Sequence, residues 1–177
     1  MLRTYLGFGA NLGDRLGMLR AGLRALVGTP GVAIDWHGGI ASLYETEPVD
    51  VPTPQPPYLN SVVRVQTTLT PVALLEAAFA IEAGLGRVRS GRYEPRTIDV
   101  DLLLYEDLVI SDAALTIPHP RLAERRFVLE PLAEIAGELI HPTLCLPIRT
   151  LAERLRASDS PQRIIRIAGP EWLAAPV

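Results

Sequence analysis

Asp99 and Asp101 stand two positions apart in Ile98-Asp99-Val100-Asp101-Leu102-Leu103-Leu104-Tyr105, a run apolar and β-branched enough to form a strand. Successive strand side chains point to opposite faces. The two carboxylates therefore share one face, while Ile98, Val100 and Leu102 share the other and pack into a core. Neighbouring anions repel unless the face is well solvated or a cation lies between them. Two hard oxygen ligands suit Mg2+, which commonly takes one or two carboxylates and fills its other positions with water and phosphate oxygens. Just upstream, Arg87, Arg89, Arg92 and Arg96 supply planar forks that match phosphate. Carboxylates beside arginines point to a metal–polyphosphate site. The same residues also fit a plainer arrangement, in which an exposed edge strand pairs its acids with the arginines of a solvated loop.

Composition narrows the choice. All 17 basic residues are arginine and none is lysine. A P-loop lysine, a Schiff-base lysine and a lysine general base are thereby excluded together. Any phosphate handled here must be met by arginine and metal. The net charge of −3 argues against a general nucleic-acid binder. Cys145 is the one cysteine, so no disulfide can form within the chain, and a reducing cytoplasm is the expected location. No apolar run is long enough for a bilayer and the first residues enter a strand pattern at once, so neither a membrane span nor a signal peptide is expected. The 177 residues suit a single domain without internal repeats.

The elements that must carry these residues follow from periodicity. Residues 3–9 alternate as a first strand, and Gly7-Phe8-Gly9-Ala10-Asn11-Leu12-Gly13 forms a Gly-rich turn. That turn is not the dinucleotide fingerprint, because Leu12 holds the place of the third glycine. Asp14 caps a helix with Leu16, Leu19, Leu23 and Leu26 on one face, ended by Gly28 and Pro30. Residues 32–44 read as a second strand interrupted by Gly38-Gly39, and 58–67 as a third with Tyr58, Asn60 and Val62 on one face. Between them, residues 48–57 hold five prolines, a stiff loop or a polyproline ligand. Thr70 and Pro71 open a second helix to about Leu85, with Val72, Leu75, Phe79 and Glu82 near one stripe. The Asp99–Asp101 strand follows, turning at Glu106-Asp107. His119 is fixed between Pro118 and Pro120 near arginines 121, 125 and 126, where it could donate to phosphate. Helices near 128–136 and 148–156 and a strand near 163–167 follow, and the tail from Gly169 reads as peripheral. The order β-α-β-β-α-β predicts an α+β fold: a ferredoxin-like split βαβ with a four-stranded antiparallel sheet, helices packed on it, and a C-terminal helical and strand extension over 146–177.

With these residues in view, the chain resembles the 6-hydroxymethyl-7,8-dihydropterin pyrophosphokinase family over about residues 4–145. The resemblance rests on Gly9-Ala10-Asn11-Leu12-Gly13-Asp14, Tyr44-Glu45-Thr46, Tyr58-Leu59-Asn60, Glu82 with Gly86-Arg87-Val88-Arg89, Pro95 to Leu102, and Ile117-Pro118-His119-Pro120 leading to Arg125 and Phe127. It implies transfer of pyrophosphate from ATP to the pterin's hydroxymethyl group, with release of AMP, in folate biosynthesis. It further implies that Asp99 and Asp101 hold two Mg2+ ions, with Arg87 and Arg96 beside them at the reacting centre. Glu82, Arg87, Arg89, Arg92, Arg96 and Leu102, with Arg125 and His119, are implied around ATP. Tyr58 and Phe127 would sandwich the pterin, and Asn60 with backbone near Thr46 and Val49 would meet its amide edge. Segments 46–57 and 86–95 correspond to loops that close over substrates, and the prolines of the first should make its closure slower or smaller. The expected partners are the two substrates, with no nucleic acid or membrane, in a monomer or weak homodimer.

Several positions depart from the family pattern: Ala10 for a usual Ser, Glu94 for a small residue, Tyr93 for Trp, Phe79 for a polar residue, and Pro120 after His119. A ferredoxin-like RNA-binding module is a competing reading, but the aromatic RNA-binding strand signature is absent. A nucleotide-sensing domain without chemistry is another. It would tolerate loss of Asp101 with weakened binding, whereas an enzyme would lose turnover.

Overall fold

A computed structural model describes residues 1–49, 51, 53–87, 94–158 and 162–173. Its strands are β1 (Leu2–Ala10), β2 (Val32–Ile34), β3 (Leu43–Thr46), β4 (Tyr58–Thr67), β5 (Asp99–Tyr105), β6 (Ile110–Ser111), β7 (Thr116–Ile117) and β8 (Ile164–Ala168). The helices are α1 (Arg15–Val27), α2 (Pro71–Gly84), α3 (Arg126–Ala136) and α4 (Ile148–Ala157). Local signals set the helix starts as their chemistry requires. The Asp14 carboxylate accepts from Gly17 N at 2.9 Å, and the Thr70 hydroxyl accepts from Ala73 N at 3.3 Å ahead of Pro71.

The sheet is antiparallel and six-stranded rather than four-stranded, in the order β5-β1-β4-β3-β8 with β2 also on β4. Two causes account for the difference. The predicted second strand breaks in two: Gly38 takes a left-handed φ of +85°, the chain swings out, and it rejoins β4 only through a short bridge of Ile40 to Val63, flanked by hydrogen bonds from Arg64 N to Gly39 O and from Ala41 N to Val62 O. Then β8 adds to the outer side of β3.

Strand alternation sorts the sheet's side chains into two cores. Leu6, Phe8, Val63, Val65, Val100 and Leu102 pack beneath α1 and α2. Tyr5, Val62 and Leu103 pack beneath α3 and α4 on the opposite face. The second face is covered only in part. Its remaining positions, Gly7 and Gly9 on β1, Tyr58 and Asn60 on β4, and Asp99 and Asp101 on β5, line an open cleft.

Two expectations are corrected. On α2 the buried residues are Leu74, Ala78, Ile81 and Glu82, while Val72 and Phe79 are exposed. The helix is apolar nearly all round, so its sequence could not say which stripe meets the sheet. The tail from Gly169 is not peripheral. Trp172 is 4% exposed in the α1/α2 core, donates its indole N–H to Ala41 O at 2.9 Å, and offers its carbonyl to Arg20 Nε and NH2 at 2.9 and 2.7 Å. A short apolar tail carries no period that would have signalled this.

Trp172→Ala should therefore cost about 3 kcal/mol of stability, since it opens a cavity and leaves the Ala41 carbonyl with the Ser61 hydroxyl alone. Urea unfolding would measure it; a loss below about 1 kcal/mol would return the tail to the periphery.

Candidate functional site

The site is assembled by register. Asp99 lies opposite Gly9, Gly9 opposite Asn60, and Asn60 opposite Tyr44, while Asp101 lies opposite Gly7 and Gly7 opposite Val62. The central strand thus offers glycines between the carboxylates of β5 and the polar side chains of β4. A Cβ at Gly9 would sit 2.9 Å from Asn60 Oδ1, and one at Gly7 would press on Leu103 Cδ1 at 3.4 Å. The floor is flat because side chains there would fill it.

The cleft over this floor, about 880 Å³ with its open mouth, is walled by Tyr58 and Asn60, by Thr46, Val49 and Val51, and by Arg121, Arg125 and Phe127. Asn60 Nδ2 donates to Thr46 Oγ1 at 2.7 Å, which turns its carbonyl oxygen towards Gly9 and the cleft as an acceptor. Tyr58 enters from β4 and Phe127 from the first turn of α3. The Arg125 guanidinium lies 5.4 Å from the Phe127 ring centroid and 3.6 Å from Asp101 Oδ2.

A second cavity opens on the other side of the carboxylates. Leu75, Phe79 and Glu82 of α2, Arg87, Leu102 and the Asp112–Thr116 segment line it, with His119 and Pro120. Arg96, Asp99 and Asp101 belong to both cavities. They form the wall between them.

That wall is held by charge. Arg87 and Arg96 each pair with Asp99, and Arg87 also pairs with the buried carboxylate of Glu82. Glu82 accepts from Val100 N at 2.9 Å as well, so it clamps the start of β5 while it aims Arg87. His119 is placed by its own backbone: its N–H donates to Leu103 O at 2.9 Å, following a cis Ile117–Pro118 bond. Its Nδ1 accepts from Arg121 N at 3.2 Å, so the ring proton sits on Nε2.

Of the residues expected from sequence, Glu82, Arg87, Arg96, Leu102 and His119 thus gather around one cavity, and Thr46, Val49, Tyr58, Asn60, Arg125 and Phe127 around the other. Arg89, Arg92 and Tyr93 lie outside the described residues, as do Asp50 and Pro52 of the proline-rich loop. Sequence reasoning missed the lining by Asp112–Thr116, which carries no charged pattern, and the role of Gly7 and Gly9 as a floor. The alternation of glycine with Phe8 was the available signal.

Comparison with known proteins gives a consistent result. Residues 5–137 match the family described as 7,8-dihydro-6-hydroxymethylpterin-pyrophosphokinase (HPPK). The chain is 46% identical over 140 residues to a 2-amino-4-hydroxy-6-hydroxymethyldihydropteridine pyrophosphokinase of Methylorubrum extorquens, covering 79% of this chain and 86% of that protein. It is 42% identical over 136 residues to the protein of that name from Bacillus subtilis, covering 77% and 79%. The fold is similar to that of Plasmodium falciparum HPPK-DHPS, with a TM-score of 0.68 at 15% identity over 86% of this chain and 44% of that one.

The two aspartates titrate apart. Burial works to raise the Asp99 pKa, but the guanidinium charges of Arg96 and Arg87 outweigh it and hold the carboxyl below the usual range. Burial and then the Asp99 charge push Asp101 up to about 7, against weaker opposition from Arg125 and Arg96. Burial, followed by the Arg125 charge, takes His119 down to about 4, so its imidazole is neutral near pH 7.

With a folded-state pKa above the unfolded value, Asp101 costs nothing below about pH 4. It then lowers stability progressively as pH rises to about 7, because the unfolded chain ionises first. Asp101→Asn should therefore raise the Tm relative to the parent more at pH 7.5 than at pH 4 in metal-free buffer. Equal shifts at both pH values, read by calorimetry, would contradict the coupled pair.

Proposed function

The chain belongs to the 7,8-dihydro-6-hydroxymethylpterin-pyrophosphokinase family, and we propose that it transfers the terminal pyrophosphoryl unit of ATP to the hydroxymethyl oxygen of 6-hydroxymethyl-7,8-dihydropterin in folate biosynthesis. The hydroxymethyl oxygen forms a bond to the β-phosphorus, the bond from that phosphorus to the bridging oxygen of AMP breaks, and the hydroxyl proton is lost. One observation carries this reading: the carboxylate pair lies in the wall common to two cavities, where a bond between their occupants would form.

The first cavity suits the pterin. Tyr58 and Phe127 offer ring faces for the flat bicycle, and the Asn60 carbonyl can accept from its ring N–H groups. The second suits the nucleotide. Arg87 and Arg96 supply forks for phosphate oxygens, and neutral His119 supplies an Nε2–H. Arg89 and Arg92 join them in this proposal. Arg87 and Arg96 would meet charge that develops on the transferred group, which they can do in any protonation range relevant to life.

The donor set fits magnesium. Two hard carboxylates share one strand face in the wall of a cavity that Arg87 and Arg96 also line, and burial together with the Asp99 charge holds the Asp101 pKa up, which a divalent cation between the pair would offset. Asp99 and Asp101 would hold the metal, two ions in our reading. Magnesium there supplies neutralisation of the triphosphate and makes the hydroxyl more acidic. Asp101 can accept that proton.

The chain as a whole, 1–177, is proposed to act as one unit on the split βαβ frame β1-α1-(β2, β3)-β4-α2-β5. Residues beyond 145 complete it: α4 packs on α3, and β8 extends the sheet. An exposed thiol at Cys145 agrees with a cytoplasmic location.

Phosphorus NMR of the protein with ATP, Mg2+ and the pterin should show AMP and a pyrophosphate ester, only when the pterin is present, and neither in Asp99→Ala. ADP with free phosphate would overturn the reading in favour of an ATPase or a sensor. Tyr58→Ala should raise the KM for pterin roughly tenfold or more and leave nucleotide affinity within about twofold, since one stacking face is removed.

A further inference from the structure

Asn11 follows β1 directly and is 2% exposed. Every polar atom of the residue's amide is used. Oδ1 accepts from Arg96 N at 2.6 Å, and the Asn11 backbone N–H donates to Arg96 O at 3.0 Å. Nδ2 donates to Gln55 Oε1 at 3.2 Å and to Pro56 O at 3.3 Å. The amide cannot be turned round, because its NH2 would then face the Arg96 N–H donor to donor. Gln55 Oε1 in turn accepts from the Tyr58 hydroxyl at 3.4 Å. Arg15, one helical turn beyond, fixes the same stretch by donating to Pro57 O at 2.7 Å.

Asn11 lines neither cavity, yet it stands between residues that do. On one side it grips the backbone of Arg96, whose guanidinium pairs with Asp99 in the dividing wall. On the other it grips the segment that runs into Tyr58 at the ring cleft. A buried, fully satisfied amide with partners on two other chain segments has one low-energy arrangement, and displacing either neighbour leaves a buried donor or acceptor unpaired.

We propose that Asn11 is a positioning residue that couples the two halves of the site, so that filling either cavity raises affinity for the occupant of the other. The inference rests on the substrate reading above. A pterin against Tyr58 holds the 55–57 segment still; through Nδ2 and Oδ1 that fixes the backbone of Arg96 and pre-pays part of the ordering needed to seat a triphosphate. Linkage requires the same factor in the reverse direction.

The test measures binding rather than turnover. Dissociation constants for 6-hydroxymethyl-7,8-dihydropterin are taken by its fluorescence with and without a saturating, non-transferable methylene analogue of MgATP, and for the analogue with and without pterin. In the parent chain each ligand should tighten the other by about fivefold or more. Asn11→Asp keeps the acceptor for Arg96 N and loses both Nδ2 donations. The coupling factor should then fall below about twofold, while each ligand alone stays within about threefold of the parent. Gln55→Leu removes a partner of that amide from outside the buried position and should lower the coupling in the same direction even where Asn11→Asp folds poorly. Unchanged coupling in both variants, or a parent that binds both ligands independently, overturns the inference and leaves the enzyme reading standing. A parent that binds neither ligand overturns both.

Discussion

Asp99 and Asp101 are two anions on one face of one strand, and the protein's arrangement around them is an exercise in supplying enough positive charge. Arg87 and Arg96 hold Asp99 ionised from two sides, while Asp101, whose one ion pair among the described residues is the looser contact with Arg125 at 3.6 Å, has its pKa pushed up to about 7. Such an imbalance is unfavourable in a resting protein and useful in one that receives cations with its substrate. Glu82 belongs to the same system from below. Its buried carboxylate sets both the strand that carries the pair and the arginine that answers it. Removing any one partner would strand a charge in a place with little water, so the set is held as a group.

The fold makes room for this group by leaving part of a sheet face uncovered. Helices α3 and α4 bury Tyr5, Val62 and Leu103 and stop short of the glycines and carboxylates in the same rows. Pairing continues beneath the open part, so the backbone there stays rigid without side chains on top. Precision comes from β-sheet register, and access comes from what α3 does not cover. Hydrophobic packing and chemistry thus divide a single surface between them.

Much of this was legible in the sequence because it depends on short-range rules. A two-residue period placed Asp99 with Asp101 and Tyr58 with Asn60; capping chemistry at Asp14 and Thr70 set the helix starts. What escaped depends on tertiary choice. The apolar run of α2 allowed more than one stripe, and only docking on β5 selected Leu74, Ala78 and Ile81. The sheet's extra strands arise because Gly38 adopts a left-handed turn and because β8 finds an edge far away in sequence. Asn11 was visible only as one letter of a motif. Its four hydrogen bonds reach residues 44 to 85 positions away, beyond any local pattern.

The placement of Trp172 bears on how the molecule is made. This residue sits in the same core as Phe8 of the first strand and is tied to Ala41 and Arg20. β8 closes the β3 edge just before it. The α1/α2 core therefore stays incomplete on the ribosome until nearly all of the described chain has emerged, and the β3 edge stays open for as long. Long-range pairing of this kind folds slowly, and an unpaired edge is exposed to other nascent chains meanwhile. Arg163 and Arg166 arrive with β8 and pair there with Glu47 and Glu134, so the charges that fasten this seam are complete only once the last strand has docked.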